Sequence, residues 1–99
     1  MDTLHKLTLL RETYSDPSEF DQLLGKLLSI ALTQHQQRVE RYNKDLSKFE
    51  AIYQRDSDSF FADFEAGNLG DNMDFFEWAG LYELREDILD KIRQLDAQL

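Results

Sequence analysis

The sequence predicts an all-α fold, a long antiparallel helical hairpin with coiled-coil character, and three observations carry that expectation. Among 99 residues there are one proline, four glycines and no cysteine, while charged residues make up 31%, a composition that suits long helices better than a turn-rich sheet. Apolar residues recur in alternating steps of four and three along two long stretches, the pattern of a coiled-coil seam. Between the stretches lies a segment dense in aromatics, glycines and acids, where a connector would sit.

Leu4, Leu7, Leu10 and Tyr14 fall at helical spacing and predict a short first helix over about residues 2–14. Asp16, Pro17 and Glu19 then form a start signal. Asp16 supplies a capping acceptor, Pro17 takes the first helical position where a missing N–H costs nothing, and Glu19 stands three residues after the cap. From Leu28 the seam runs through Leu32, His35, Val39, Tyr42, Leu46, Phe49 and Tyr53, so the second helix is expected over about residues 17–55. At about 1.5 Å per residue it would be nearly 60 Å long, too long for a compact globule of this size. Its first half, with Phe20, Leu23, Leu24, Leu27 and Ile30, is apolar on more than one face, and the first helix is expected to cover the excess.

Asp56 or Ser57 caps a short third helix, about residues 58–66, which carries Phe60, Phe61 and Phe64 and ends at Gly67. The last helix is expected over about residues 73–98, with Asp74 and Glu77 as a capping box and Asp71 as the alternative cap. Its seam is Trp78, Leu81, Arg85, Ile88, Ile92, Leu95 and Leu99. Two seams of matched length flanking a short connector fold back on each other most simply as an antiparallel hairpin, one helical domain spanning residues 1–99. Arg38, Arg41, Lys44 and Lys48 would then face Glu83, Glu86, Asp87 and Asp90 across it. Tyr82, Leu84 and Leu89, with Ile92, make the stripe on the last helix wider than one partner helix covers. A homodimer packed as a four-helix bundle is the expected cover.

Charge is distributed unevenly. The net charge is −9, yet residues 1–55 carry eight acids and eight bases, whereas residues 56–84 carry eight acids and no Lys or Arg. Such a balance argues against a nucleic-acid surface, which needs concentrated Lys and Arg, and suits a basic protein partner. No apolar run approaches the roughly 20 residues a membrane span requires, and the first residues lack the pattern of an export signal, so a cytoplasmic chain is expected.

Without cysteine there is no disulfide, thiolate metal site or thiol nucleophile. His35 has Ala31, Leu32, Arg38 and Val39 at the positions where a helical metal pair would place Glu or His, so a register-setting seam residue is the expected role. Asp71, Asp74 and Glu77 lack the EF-hand order and are read as helix-terminal acids. No nucleophile–base arrangement or phosphate loop is recognisable. The expectation is a non-enzymatic chain with no cofactor and no metal. The aromatics Phe60, Phe61, Phe64, Phe75, Phe76 and Trp78 are read chiefly as a miniature core at the hairpin tip. The candidate partner-binding residues are Phe60, Phe61, Phe64, Asp71, Asp74, Phe75 and Trp78; the candidate dimer residues are Tyr82, Leu84, Leu89 and Ile92.

The tip also carries a pattern: Phe49 and Tyr53, Ser57, Phe60 and Phe64, Gly67 with Leu69-Gly70-Asp71, Asp74-Phe75, Glu77-Trp78, then Leu81-Tyr82. It resembles a family of small helical-hairpin proteins of bacteria and archaea, frequent in cyanobacteria, that are similar to the antitoxin-like partners of toxin–antitoxin pairs. The resemblance covers about residues 46–85. It implies a subunit that binds and restrains a basic, toxin-like protein. Against a full antitoxin role, no DNA-binding module is recognisable. The alternatives are a scaffold or assembly factor acting as a helical homo-oligomer, and a metal-binding helical bundle.

Overall fold

The computed structural model describes residues 2–99 as four helices in chain order: α1 (Thr3–Thr13), α2 (Pro17–Tyr53), α3 (Ser57–Glu65) and α4 (Met73–Gln98). Asp16 and Pro17 start α2 as expected, the Asp16 carboxylate accepting a hydrogen bond from the Ser18 amide at 2.9 Å. The helix stops at Tyr53, two residues before the expected end, because Gln54 turns left-handed at φ 51° and ψ 48°. Asp56, not Ser57, caps α3 by accepting from the Ser59 amide at 2.7 Å. At the far end of α3, Gly67 at φ 74° lets the Asn68 amide reach back to the Asp63 carbonyl and its own amide reach the Phe64 carbonyl. This paired reach closes the helix C-terminus, and the left-handed backbone is why glycine stands there.

The start of α4 departs from the expected capping box. Asn72 is the cap, its side-chain oxygen accepting from the Asp74 amide at 2.9 Å, while the Asp74 carboxylate faces Tyr53 instead. A local rule offered Asp71 or Asp74; a contact from 21 residues away decides between them and Asn72.

α4 folds back along α2, and α3 packs beside the start of α4. All eight seam residues of α2 are partly or fully buried, as are six of the seven on α4; Leu99 is exposed. Two helices alone cannot enclose a seam, so along the shaft Ile88 is the one buried side chain among the described residues. His35 sits on the seam half-buried, and Arg85, the other polar entry, donates to the Asn43 side chain at 3.1 Å, fixing the register of α4 on α2. The rod measures 60 × 24 × 18 Å with a radius of gyration of 19.5 Å, against about 13 Å for a compact chain of this length. No described helix is long and apolar enough to cross a membrane.

The expected charge ladder across the hairpin does not form. Lys48 pairs with Asp45, Lys91 with Asp87 and Arg93 with Asp90, each within its own helix. Residues three and four apart on a helix are preset neighbours, whereas a partner on the other helix must be reached by ordering two long side chains in water.

Candidate partner-binding site

The tip is built by three short runs that helical spacing brings to one point: Leu46, Phe49 and Tyr53 at the end of α2, Phe60 and Phe64 on one face of α3, and Phe75, Trp78, Ala79 and Tyr82 at the start of α4. Phe60 and Trp78 lie flat on each other, ring centroids 3.8 Å apart and 3° from parallel. Phe49 and Tyr53 stack on Trp78 as well, each at 5.7 Å. Phe75 meets Tyr53 edge-on at 5.3 Å, and Phe61 covers Tyr82 at 4.4 Å. Aromatic pairs in these arrangements add about 0.5–1.5 kcal/mol each beyond their buried area.

A polar thread holds this core in one arrangement. The buried Ser57 hydroxyl accepts from the Trp78 indole N–H at 2.9 Å and donates to the Glu50 carboxylate at 2.9 Å, which also accepts from the Ser57 amide. One serine thereby ties α2, α3 and α4 together. Nearby, the Tyr53 hydroxyl donates to Asp74 at 2.6 Å and accepts from Asn72. That bond to the Asp74 carboxylate is the main reason the Tyr53 phenol is pushed above its ordinary range. Tyr82 donates to Asp58 at 2.8 Å, and this bond, with burial, raises its phenol to about 12. Arg55 donates to both Ser59 and Asp63, and the guanidinium holds the Asp63 carboxyl below the usual carboxylate range.

Ser57 with Glu50 is superficially a hydroxyl and a base, but both bonds of the hydroxyl are spent on the fold and the side chain is shut off from solvent. The described residues contain no group of three His, Asp or Glu that could hold a metal ion.

The geometry divides the residues expected to meet a partner. Phe60 and Trp78 are fully buried, which removes them as contacts: they are the floor of the tip, not its face. Phe61, Phe64 and Phe75 are half-buried against their neighbours, and Asp74 is held by Tyr53. Asp71 is exposed, as are Glu65, Glu77 and Glu83; Asp56 and Asp58 are exposed too, but Asp56 caps α3 and Asp58 is held by Tyr82 and by Arg85 at 3.9 Å. Among these acids stand Met73, 79% exposed and not singled out by spacing, and Phe76, expected in the miniature core but 52% exposed and only edge-on to Phe64 at 5.6 Å; both fall off the α4 seam. Of the expected dimer residues, Tyr82 is engaged by Phe61 and Asp58, Leu89 and Ile92 are partly buried, and Leu84 alone is open.

The shape and site define an all-helical hairpin with a well-packed, acidic tip. Compared with known proteins, the chain matches no protein family, no curated protein and no solved structure.

Proposed function

We propose that the chain is a non-enzymatic, cytoplasmic interaction protein that holds a basic protein partner at its tip and restrains it, as an antitoxin-like subunit does. One observation carries this reading: six exposed carboxylates, one of which, Asp58, pairs with Arg85, with no Lys or Arg anywhere in residues 56–84, mounted on a core in which Ser57, Glu50 and the Trp78 indole satisfy one another. Charge of one sign on a fixed surface attracts a basic partner from a distance and loses little entropy on docking. Met73 and Phe76 give such a partner apolar purchase inside the acidic ring, the usual layout of a binding hot spot. A nuclease that grips RNA phosphates with Lys and Arg would offer the complementary face.

The test is co-purification with the product of the adjacent gene, repeated with Asp71→Lys and Glu77→Lys together. Capture that falls with salt and with charge reversal supports the tip. Capture indifferent to both defeats it. A scaffold or assembly factor is the second reading, favoured by the 60 Å rod. Growth arrest by the neighbouring product alone, relieved by this chain, favours restraint of a toxin over scaffolding.

A further inference from the structure

α4 carries one residue that the hairpin does not use. Gly80 lies well inside the helix, where glycine is destabilising relative to alanine because it gives up more backbone freedom on folding. Its φ is that of the helix around it, so no left-handed turn requires it. A β-carbon placed on it would meet nothing within 4 Å, so no neighbour inside the chain requires it either. What remains is an approach from outside, since glycine is the residue that lets another backbone come close. Met73, Phe76, Gly80 and Leu84 follow one another at helical spacing on the side of α4 away from its seam, and the three side chains are 79%, 52% and 50% exposed. In the row of every fourth residue Gly80 is the gap between Phe76 and Leu84, and a helix packs by setting its own ridge into such a gap. With no side chain there, two axes can close to about 8 Å, the short end of helix packing.

We propose that this face of α4 seats an α-helix of the basic partner, crossing at Gly80 with its apolar side chains between Phe76 and Leu84 and its Lys and Arg beside Glu77 and Glu83. The proposal rests on the reading of the tip as a seat for a basic protein, and narrows that protein to one that presents a helix. Charge selects the occupant. Glu77 flanks the row on one side and Glu83 on the other; both are exposed, and among the described residues neither pairs with a cation. An apolar row bordered by acids matches an amphipathic helix with anchors three and four residues apart and basic borders. A second copy does not match, because crossing its own α4 at Gly80 would set these acids against acids. Gly25, the other glycine inside a helix, has Gln22 and Leu28 at the positions that Glu77 and Glu83 hold around Gly80, so it lacks the acidic borders.

Fluorescence anisotropy with the full chain tests this, using labelled peptides of about 18 residues, long enough to hold a helix. The first peptide is an amphipathic helix with leucines on one face and lysines on its borders. The second has the same composition with two alanines of its middle replaced by proline, and the third has glutamate in place of lysine. The expected result is binding of the first, affinity about tenfold or more lower for the second, and none for the third. Gly80→Gln fills the gap without changing charge and should weaken binding of the first peptide about tenfold or more, while its thermal midpoint by circular dichroism holds or rises. Should Gly80→Gln disturb the fold, Gly80→Ala decides, with a smaller loss of affinity and a higher midpoint. Equal affinity for the two lysine peptides, or affinity unmoved by these substitutions, overturns the helix at Gly80 and leaves the acidic tip as a seat for a basic protein. Binding of neither lysine peptide, or equal binding of the glutamate peptide, overturns that reading as well. A chain that self-associates and becomes monomeric with Gly80→Gln in sedimentation equilibrium also overturns the proposal, making the occupant a second copy.

Discussion

Replacing Ser57 by alanine removes one oxygen atom and should weaken the whole tip. The hydroxyl is 2% exposed and makes two bonds of 2.9 Å, one from the Trp78 indole and one to the Glu50 carboxylate. In the variant the indole N–H stays buried with no acceptor, at a cost of about 1–3 kcal/mol, while Glu50 keeps the Ser57 amide as a donor and so loses only part of its satisfaction. A total near 2 kcal/mol follows, and with a urea slope of about 1–1.5 kcal/mol per molar for a small chain the midpoint should fall by roughly 1.5 M. Urea unfolding read by Trp78 fluorescence at fixed protein concentration measures it. Combining Ser57→Ala with Trp78→Phe, which removes the stranded donor and, since Trp78 is the sole tryptophan, is followed with its singles by far-ultraviolet circular dichroism, should cost less than the two singles added. A Ser57→Ala midpoint within experimental error of the parent, or strict additivity, would refute the account of the thread.

Leu46→Ala, at the floor of the tip, should destabilise by about 2–5 kcal/mol in the same assay, whereas Leu84→Ala on the open face of α4 should change little. Gln54→Gly should stabilise by about 0.5–1 kcal/mol, because a β-carbon is unfavourable in the left-handed turn that ends α2; a rise of a few degrees in the thermal midpoint checks it. Tyr82 gives a pH dependence of definite sign. Its phenol is raised from 10.0 to about 12 by the bond to Asp58, so the stability it contributes is complete below pH 10 and disappears as pH rises through about 12. Thermal unfolding across that window should show a steeper alkaline loss for the parent than for Tyr82→Phe; equal slopes would contradict the assignment.

What was legible in the sequence was what local spacing determines. The α2 seam from Leu28 to Tyr53, the α4 seam from Trp78 to Leu95, the start at Asp16-Pro17 and the stop at Gly67 each depend on residues within a turn or two of one another. The misread features are those set from far along the chain. Asn72 became the cap because Tyr53 claimed the Asp74 carboxylate, and α2 ended at Gln54 without glycine or proline to mark it. Ser57 was visible only as an alternative cap and as one letter in the tip pattern, although the aromatic run around it held the clue that Trp78 would need a buried acceptor. The candidate contact residues divide between buried and open for the same reason. Spacing showed that Phe60 and Trp78 cluster, but not that clustering would bury both completely while leaving Met73 and Phe76 outside.

The hairpin also orders its own assembly. Contacts at the tip join residues about 20 apart, such as Tyr53 with Asp74, while Arg85 and Asn43 are 42 apart, and the separation keeps growing toward the open end. The loop to be closed is therefore shortest where the core is richest, so folding should begin at Trp78 and zip outward, and native fluctuations should fray in the opposite direction. Amide hydrogen exchange would then read as a gradient along the rod, slow beside the tip and fast through α1. A protein of this design opens first at the end farthest from its aromatic core.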